Sequence, residues 1–243
     1  MKKSLHKIFS SKLDKEMELA IYGHYGMAIL LIPGVTDNYL EFEQEGLIDC
    51  FSHNLIFGSC QIYSVEGILD EIWRNNNKSN YDKSKRQFEF NAFLEDELVP
   101  AIHQHNNGPV PIMTFGVSNG AYFAANAYFR RPDIFTGTIA ISGKYDLLQY
   151  TNGYFDENIY FNSPVHYLPN LNDNYYLTYL QNRPQVFLAS GSGENEAPFF
   201  TTQLNDILKA KGIDCTTIIK NETYGHNFDS WKKILPEICS KIF

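Results

Sequence analysis

The sequence predicts an α/β fold, a mostly parallel central sheet flanked by helices, over a chain of 243 residues. Three observations predict it. Short apolar runs alternate with longer stretches of helical periodicity, the order that builds parallel sheets covered on both faces. The chain is long enough to bury one core of that kind. Finally, the apolar run 111–115 passes through Gly116-Val117-Ser118-Asn119-Gly120 directly into the helix-like stretch 121–129.

Taken in order, residues 17–25 and 27–32 read as two strands joined at Gly23-His24-Tyr25-Gly26, and 60–65 as a third. Residues 76–84 form a polar loop. From 84 to 104, Phe88, Phe90, Phe93, Leu94, Leu98 and Ile102 recur at spacings that line one face of a helix. Strands follow at 111–115, 136–142 and 185–189. A helix over 201–211 stops at Gly212, a residue suited to a left-handed C-cap. The last strand is 215–219, and 229–242 is a closing helix. Residues 145–180 break the alternation with eight tyrosines among Asn and Asp. Long excursions of this kind usually serve function. An irregular, cap-like insertion near the active site is therefore expected, with Tyr145, Tyr150, Tyr154 and Tyr160 as candidate substrate-lining residues. The plainer reading is a surface excursion whose rings pack and whose hydroxyls face water. With no repeat or low-complexity linker, 1–243 is expected to be a single domain.

Bulk properties exclude several classes. A net charge of −8 weighs against nucleic acid and anionic membranes as partners. The longest strongly apolar run, 27–32, falls far short of the roughly 20 residues a membrane helix needs. The basic start Met1-Lys2-Lys3 leads into no apolar segment, so no signal peptide is expected. Cys50, Cys60, Cys215 and Cys239 are scattered and lack metal-ligand spacing, which fits reduced thiols in a cytoplasmic protein. His103 and His105 have no carboxylate partner at useful spacing. Gly191-Ser192-Gly193 lacks the lysine of a phosphate loop. Arg130-Arg131 suits the end of a helix rather than a substrate clamp. No metal and no cofactor are expected.

The chemistry points elsewhere. Strand, Gly-x-Ser-x-Gly and helix describe a nucleophile elbow, a turn that lifts Ser118 above the sheet. The bare pattern also suits an ordinary turn with a capping serine, so the remaining partners decide. A serine hydroxyl needs a base and a group that orients the base. Of the two histidines after Ser118, His226 lies between the last strand and the last helix, at the sheet edge where the elbow opens. His166 belongs to the tyrosine-rich insertion. The acid should leave the strand that ends near Ala189, in Ser190-Gly191-Ser192-Gly193-Glu194-Asn195-Glu196. Glu194 and Glu196 both qualify, and the local residues leave the choice open. One oxyanion donor should be the Asn119 amide and the other an amide of the 33–38 loop, Val35 or Thr36.

The residues 116–122, Phe129-Arg130-Arg131-Pro132-Asp133-Ile134-Phe135 and Ala140-Ile141-Ser142-Gly143-Lys144-Tyr145-Asp146 resemble the esterase-D and enterochelin-esterase-like branch of the α/β hydrolases. Tyr160-Phe161-Asn162-Ser163-Pro164, the acid loop and Gly225-His226-Asn227-Phe228-Asp229-Ser230-Trp231 extend the resemblance. So does Glu41-Phe42-Glu43-Gln44-Glu45-Gly46, and nearly the whole chain is covered. The resemblance implies an α/β-hydrolase fold and a cofactor-free serine hydrolase. The family acid loop reads Gly-x-Gly-x-x-Glu, which implies Glu196 as the acid. The chain departs from its relatives at Asn119, where many carry Met, and at Asn227–Trp231, where many carry Asp-Trp-Pro-Trp-Trp. The expected function is a carboxylesterase acting on a small soluble ester through Ser118, His226 and Glu196. Acyl transfer by the same residues and a non-catalytic binding scaffold are the alternatives.

Overall fold

The computed structural model describes residues 2–182 and 185–243. Met1, Arg183 and Pro184, which the expected 1–243 domain includes, lie outside the described residues. The strands are β1 (Lys3–Ser10), β2 (Lys15–Tyr22), β3 (Met27–Leu31), β4 (Cys60–Val65), β5 (Ile112–Val117), β6 (Gly137–Ile141), β7 (Val186–Ser190) and β8 (Thr216–Ile219). They form one sheet in the order β1-β2-β4-β3-β5-β6-β7-β8. The pairs β1–β2 and β2–β4 are antiparallel, and every pair from β4–β3 to β7–β8 is parallel.

The central strands are mostly apolar because both of their faces are covered. Every residue of β5 and β6 is buried. Alternate side chains enter different cores, as a period of two requires. Ala28 and Leu30 of β3 join one cluster, while Ile29 and Leu31 join the other.

The helices are α1 (Glu41–Gln44), α2 (Ser52–Phe57), α3 (Asn80–Phe93), α4 (Val99–His105), α5 (Asn119–Arg130), α6 (Leu148–Thr151), α7 (Glu157–Phe161), α8 (Pro164–Asn170), α9 (Asn174–Asn182), α10 (Pro198–Ala210) and α11 (Phe228–Ile242). Phe90 and Phe93 of α3, Phe123 and Phe129 of α5 and Leu204 of α10 pack on one face. Phe42, Leu55, Trp231 and Ile238 of α1, α2 and α11 pack on the other.

Two expectations need correcting. The sequence reading has no strand before residue 17, yet Lys3–Ser10 pairs with β2 along its whole length. As an edge strand with mostly exposed residues, it carries lysines rather than a clean apolar alternation. The insertion 145–180 is not irregular, since α6, α7, α8 and most of α9 run through it. Helices of 4, 5, 7 and 9 residues are too short to show a 3.6-residue period. The segment is fastened to α5. Tyr122 donates its hydroxyl to Asn162 O at 2.8 Å, and Asn126 Nδ2 donates to Asn162 Oδ1 at 2.9 Å.

Candidate active site

β5 ends at Val117 and α5 begins at Asn119, so the turn between them falls on Ser118 alone. Ser118 has φ 55° and ψ −124°, a left-handed backbone that non-glycine residues rarely adopt. Its N–H is held by Ile141 O at 2.9 Å. The flanking segments sit very close. A Cβ on Gly34 would lie 1.9 Å from Gly120 N, and one on Gly116 would lie 2.1 Å from Gly120 O. Glycine is the residue that fits there.

The loop after β8 brings His226 to this turn. His226 Nε2 lies 2.9 Å from Ser118 Oγ. Its ring meets the Trp231 ring edge-on at 5.1 Å. Behind it, Nδ1 lies 3.5 Å from Glu196 Oε2, at the long end of hydrogen-bond distance. The Glu196 side chain is 1 % exposed. Ser142 Oγ donates to its Oε1 at 2.5 Å and Ser190 Oγ to its Oε2 at 3.0 Å. Burial pushes the Glu196 carboxyl up, but hydrogen bonds from His226 and Ser142, the charge of His226 and the Ser190 bond together outweigh it. The carboxyl is held below the usual range. Ser142 also accepts from Trp231 Nε1 at 3.0 Å, which ties α11 to the acid.

The structure separates the two candidate acids. Glu196 N–H bonds Gly193 O at 3.1 Å, so Glu194 and Asn195 occupy the tip of a turn, with Asn195 at φ 61°. Glu194 is exposed at that tip, and Glu196 re-enters beneath it. Glu194 contributes through its backbone instead, its carbonyl accepting from His226 N–H at 2.9 Å. The two loops touch because Gly191 carries no side chain; a Cβ there would lie 1.9 Å from Tyr224 O.

The residues expected to form an oxyanion hole face each other across the elbow. Asn119 opens α5, where the first N–H groups have no intrahelical acceptor. Val35 and Thr36 stand in the facing loop, and each amide already has a carboxylate partner. Both donate to Glu41, Val35 at 3.3 Å. The sequence does not single out Glu41 as a partner of that loop, because nothing local marks a carboxylate six residues on from Val35 as its acceptor.

Of the four tyrosines, one reaches the elbow. Tyr150 donates its hydroxyl to Asn119 Oδ1 at 2.8 Å, and its ring lies 6.0 Å from that of Trp73. Tyr145 is fully buried and has no surface with which to line a cleft. The Tyr154 hydroxyl is taken by Asp156 at 2.9 Å. Tyr160 lines a cavity of about 730 Å³ with Phe88, Arg130, Phe161 and Tyr176. That cavity lies at the far end of α5, about 18 Å from Ser118 for a helix of 12 residues. His166 pairs with Asp146 at 3.0 Å. Arg130 and Arg131 stand at the end of α5 with Glu95, Arg131 also with Asp133. Among the described residues, no group of three or more His, Cys, Asp or Glu is arranged to hold a metal ion. No described helix is long and apolar enough to cross a membrane.

No family model matches this chain, and no curated protein matches it. Solved structures do. A ferulic acid esterase superposes with a TM-score of 0.73 at 18 % identity, covering 100 % of this chain and 99 % of that one. An S-formylglutathione hydrolase from Agrobacterium tumefaciens gives 0.74 at 12 % identity, covering 98 % and 93 %. A fluorophosphonate-binding serine hydrolase from Staphylococcus aureus gives 0.64 at 12 % identity, covering 100 % and 98 %. The shared feature is the architecture, an eight-stranded and mostly parallel sheet with helices on both faces, and this chain has the α/β-hydrolase fold.

Proposed function

We propose that this chain is a serine hydrolase that cleaves a carboxyl ester of a small soluble molecule. The observation that carries the reading is the contact of Ser118 Oγ with His226 Nε2 at 2.9 Å, backed by a buried Glu196 on the other ring nitrogen. Ser118 Oγ attacks the ester carbonyl, and His226 takes its proton. Glu196 orients the ring and stabilises the imidazolium. The tetrahedral oxyanion is met by the Asn119 N–H and an amide of the facing loop. As the intermediate collapses, His226 returns the proton to the departing alkoxide. Water then attacks the acyl-enzyme by the same path, releasing the acid and restoring Ser118. The names of the structural neighbours, ferulic acid esterase and S-formylglutathione hydrolase among them, support ester chemistry. All four cysteines are free thiols, two of them buried, which supports a reducing compartment such as the cytoplasm.

The test is Ser118→Ala with p-nitrophenyl esters of graded acyl length, alongside fluorophosphonate labelling. The variant should lose roughly 10⁴-fold or more in kcat with its fold intact, and the wild type should label at Ser118. Ester cleavage that persists in the folded variant would defeat the assignment.

A further inference from the structure

The loop facing Ser118 is built around a buried carboxylate that the catalytic chain does not use. Glu41, the first residue of α1, is 3 % exposed. Its Oε1 accepts from the Gly34 N–H at 3.2 Å and the Val35 N–H at 3.3 Å. Its Oε2 accepts from the Thr36 N–H and, at 2.6 Å, from the Thr36 hydroxyl. Three successive amides converge on one carboxylate, the concave arrangement by which backbone binds anions. From the other side Asn119 Nδ2 donates to Gly34 O at 2.9 Å. Gly34 C=O and Val35 N–H belong to one planar peptide. That peptide is therefore gripped at its carbonyl by the elbow and at its amide by Glu41.

The two amides of interest are not equivalent. Thr36 commits both its N–H and its hydroxyl to a single oxygen. Val35 shares the other oxygen with Gly34, across the longest contact of the set, so its N–H retains capacity for a second acceptor. We propose that Glu41 is a positioning residue for the oxyanion hole. By anchoring Thr36 it fixes the loop so that Val35, and not Thr36, supplies the second oxyanion donor. This rests on the ester-hydrolase reading of the same site. Glu41 touches no reacting atom. It sets where a dipole stands when charge develops, so its loss falls on kcat rather than KM.

Glu41→Gln tests this with little change of volume. Glutamine has one acceptor oxygen, so its NH₂ group must face either Thr36 or the Gly34 and Val35 amides. Thr36→Val removes the anchoring hydroxyl, which also accepts from the Asn38 N–H at 3.2 Å, and Thr36→Ser restores both contacts. Kinetics with a p-nitrophenyl ester are paired with inhibition by a trifluoromethyl ketone, whose hemiketal oxyanion occupies the same donors. Glu41→Gln should lower kcat about 10- to 100-fold with KM within about twofold, and weaken the ketone in proportion to kcat/KM. Thr36→Val should show a smaller loss of the same pattern, and Thr36→Ser should recover it. Folded Glu41→Gln and Thr36→Val proteins that keep wild-type kcat and ketone affinity would overturn the proposal. Should Glu41→Gln fail to fold, the Thr36 pair decides alone. A wild type that neither cleaves esters nor labels with fluorophosphonate would instead sink the hydrolase reading, and this inference with it.

Discussion

Replacing Ser142 by alanine should loosen the acid while leaving nucleophile and base untouched. Ser142 is 7 % exposed, directly after β6. Its hydroxyl donates to Glu196 Oε1 at 2.5 Å and accepts from Trp231 Nε1 at 3.0 Å. A hydrogen bond to a charged group contributes about 1.5–3 kcal/mol, and a buried donor left unpaired costs about 1–3 kcal/mol. Relaxation around the small void recovers part of the sum, which leaves about 3 kcal/mol. At about 2–4 °C per kcal/mol for a chain of this size, Tm should fall by about 6–12 °C.

The loss should also depend on pH, and its sign follows from Glu196. The folded carboxyl is held low, with Ser142 one of the groups holding it. A depressed carboxyl contributes stability that is fully present above its unfolded value, about 4.3, and that is lost as pH falls through the folded value. Removing Ser142 raises the folded value toward the unfolded one. The gap between wild type and variant is therefore widest near neutrality and narrows below about pH 4. Denaturant unfolding followed by tryptophan fluorescence measures it, since Trp231 is itself a reporter. A variant within about 0.5 kcal/mol of wild type at pH 7 would refute the reasoning, as would a gap that does not narrow in acid.

Two further substitutions separate the roles of neighbouring residues. Glu196→Gln should lower ester hydrolysis by about 10⁴-fold, while Glu194→Gln, at an exposed turn tip, should stay within about twofold; equal losses in steady-state kinetics would mean that the wrong carboxylate has been assigned. Gly34→Ala places a methyl 1.9 Å from Gly120 N, against backbone that cannot rotate aside, so thermal unfolding should show a loss of about 1–3 kcal/mol together with slower fluorophosphonate labelling. Wild-type Tm and labelling in that variant would refute the close approach of loop and elbow.

Much of the candidate site was legible because the residues proposed to do chemistry sit where topology demands them. Ser118 stands between an apolar run and a helix, and His226 stands between the last strand and the last helix; both positions follow from the order of elements. The acid was harder. Glu194 and Glu196 share one loop, and composition treats them alike. Conformation tells them apart, because the left-handed Asn195 turns the chain back and sends the two side chains in different directions. Asparagine tolerates that conformation better than most residues, so Gly193-Glu194-Asn195-Glu196 held a turn signal that the family motif had to replace. The tyrosines misled for the opposite reason. A ring with a polar tip suits a cleft, a core or a surface equally well. Tyr150, Tyr145 and Tyr160 went to three different places, and nothing local to each distinguishes them.

The side-chain contacts that would support the proposed chemistry were not legible, and the reason is geometric. Ser142 meets Glu196 across 54 positions, and Trp231 meets Ser142 across 89. Asn119 meets Gly34 across 85. Each contact exists only once remote elements converge at one end of the sheet: β6, β7 and α11 for the first two, β3 and α5 for the third. Glu41 is a subtler case, since it lies only five residues from Thr36. Proximity in sequence did not help, because a glutamate opening a four-residue helix reads as a surface charge. Its burial depends on Phe42 next to it filling the core beside Phe115 at a ring distance of 5.3 Å. The apolar residue pulls α1 onto the sheet, and the carboxylate is carried inward, where three amides and a hydroxyl replace the water it gives up. Phe42 thus sets where the proposed anchor of the loop facing Ser118 stands, which couples packing on one face of the sheet to electrostatics at its edge.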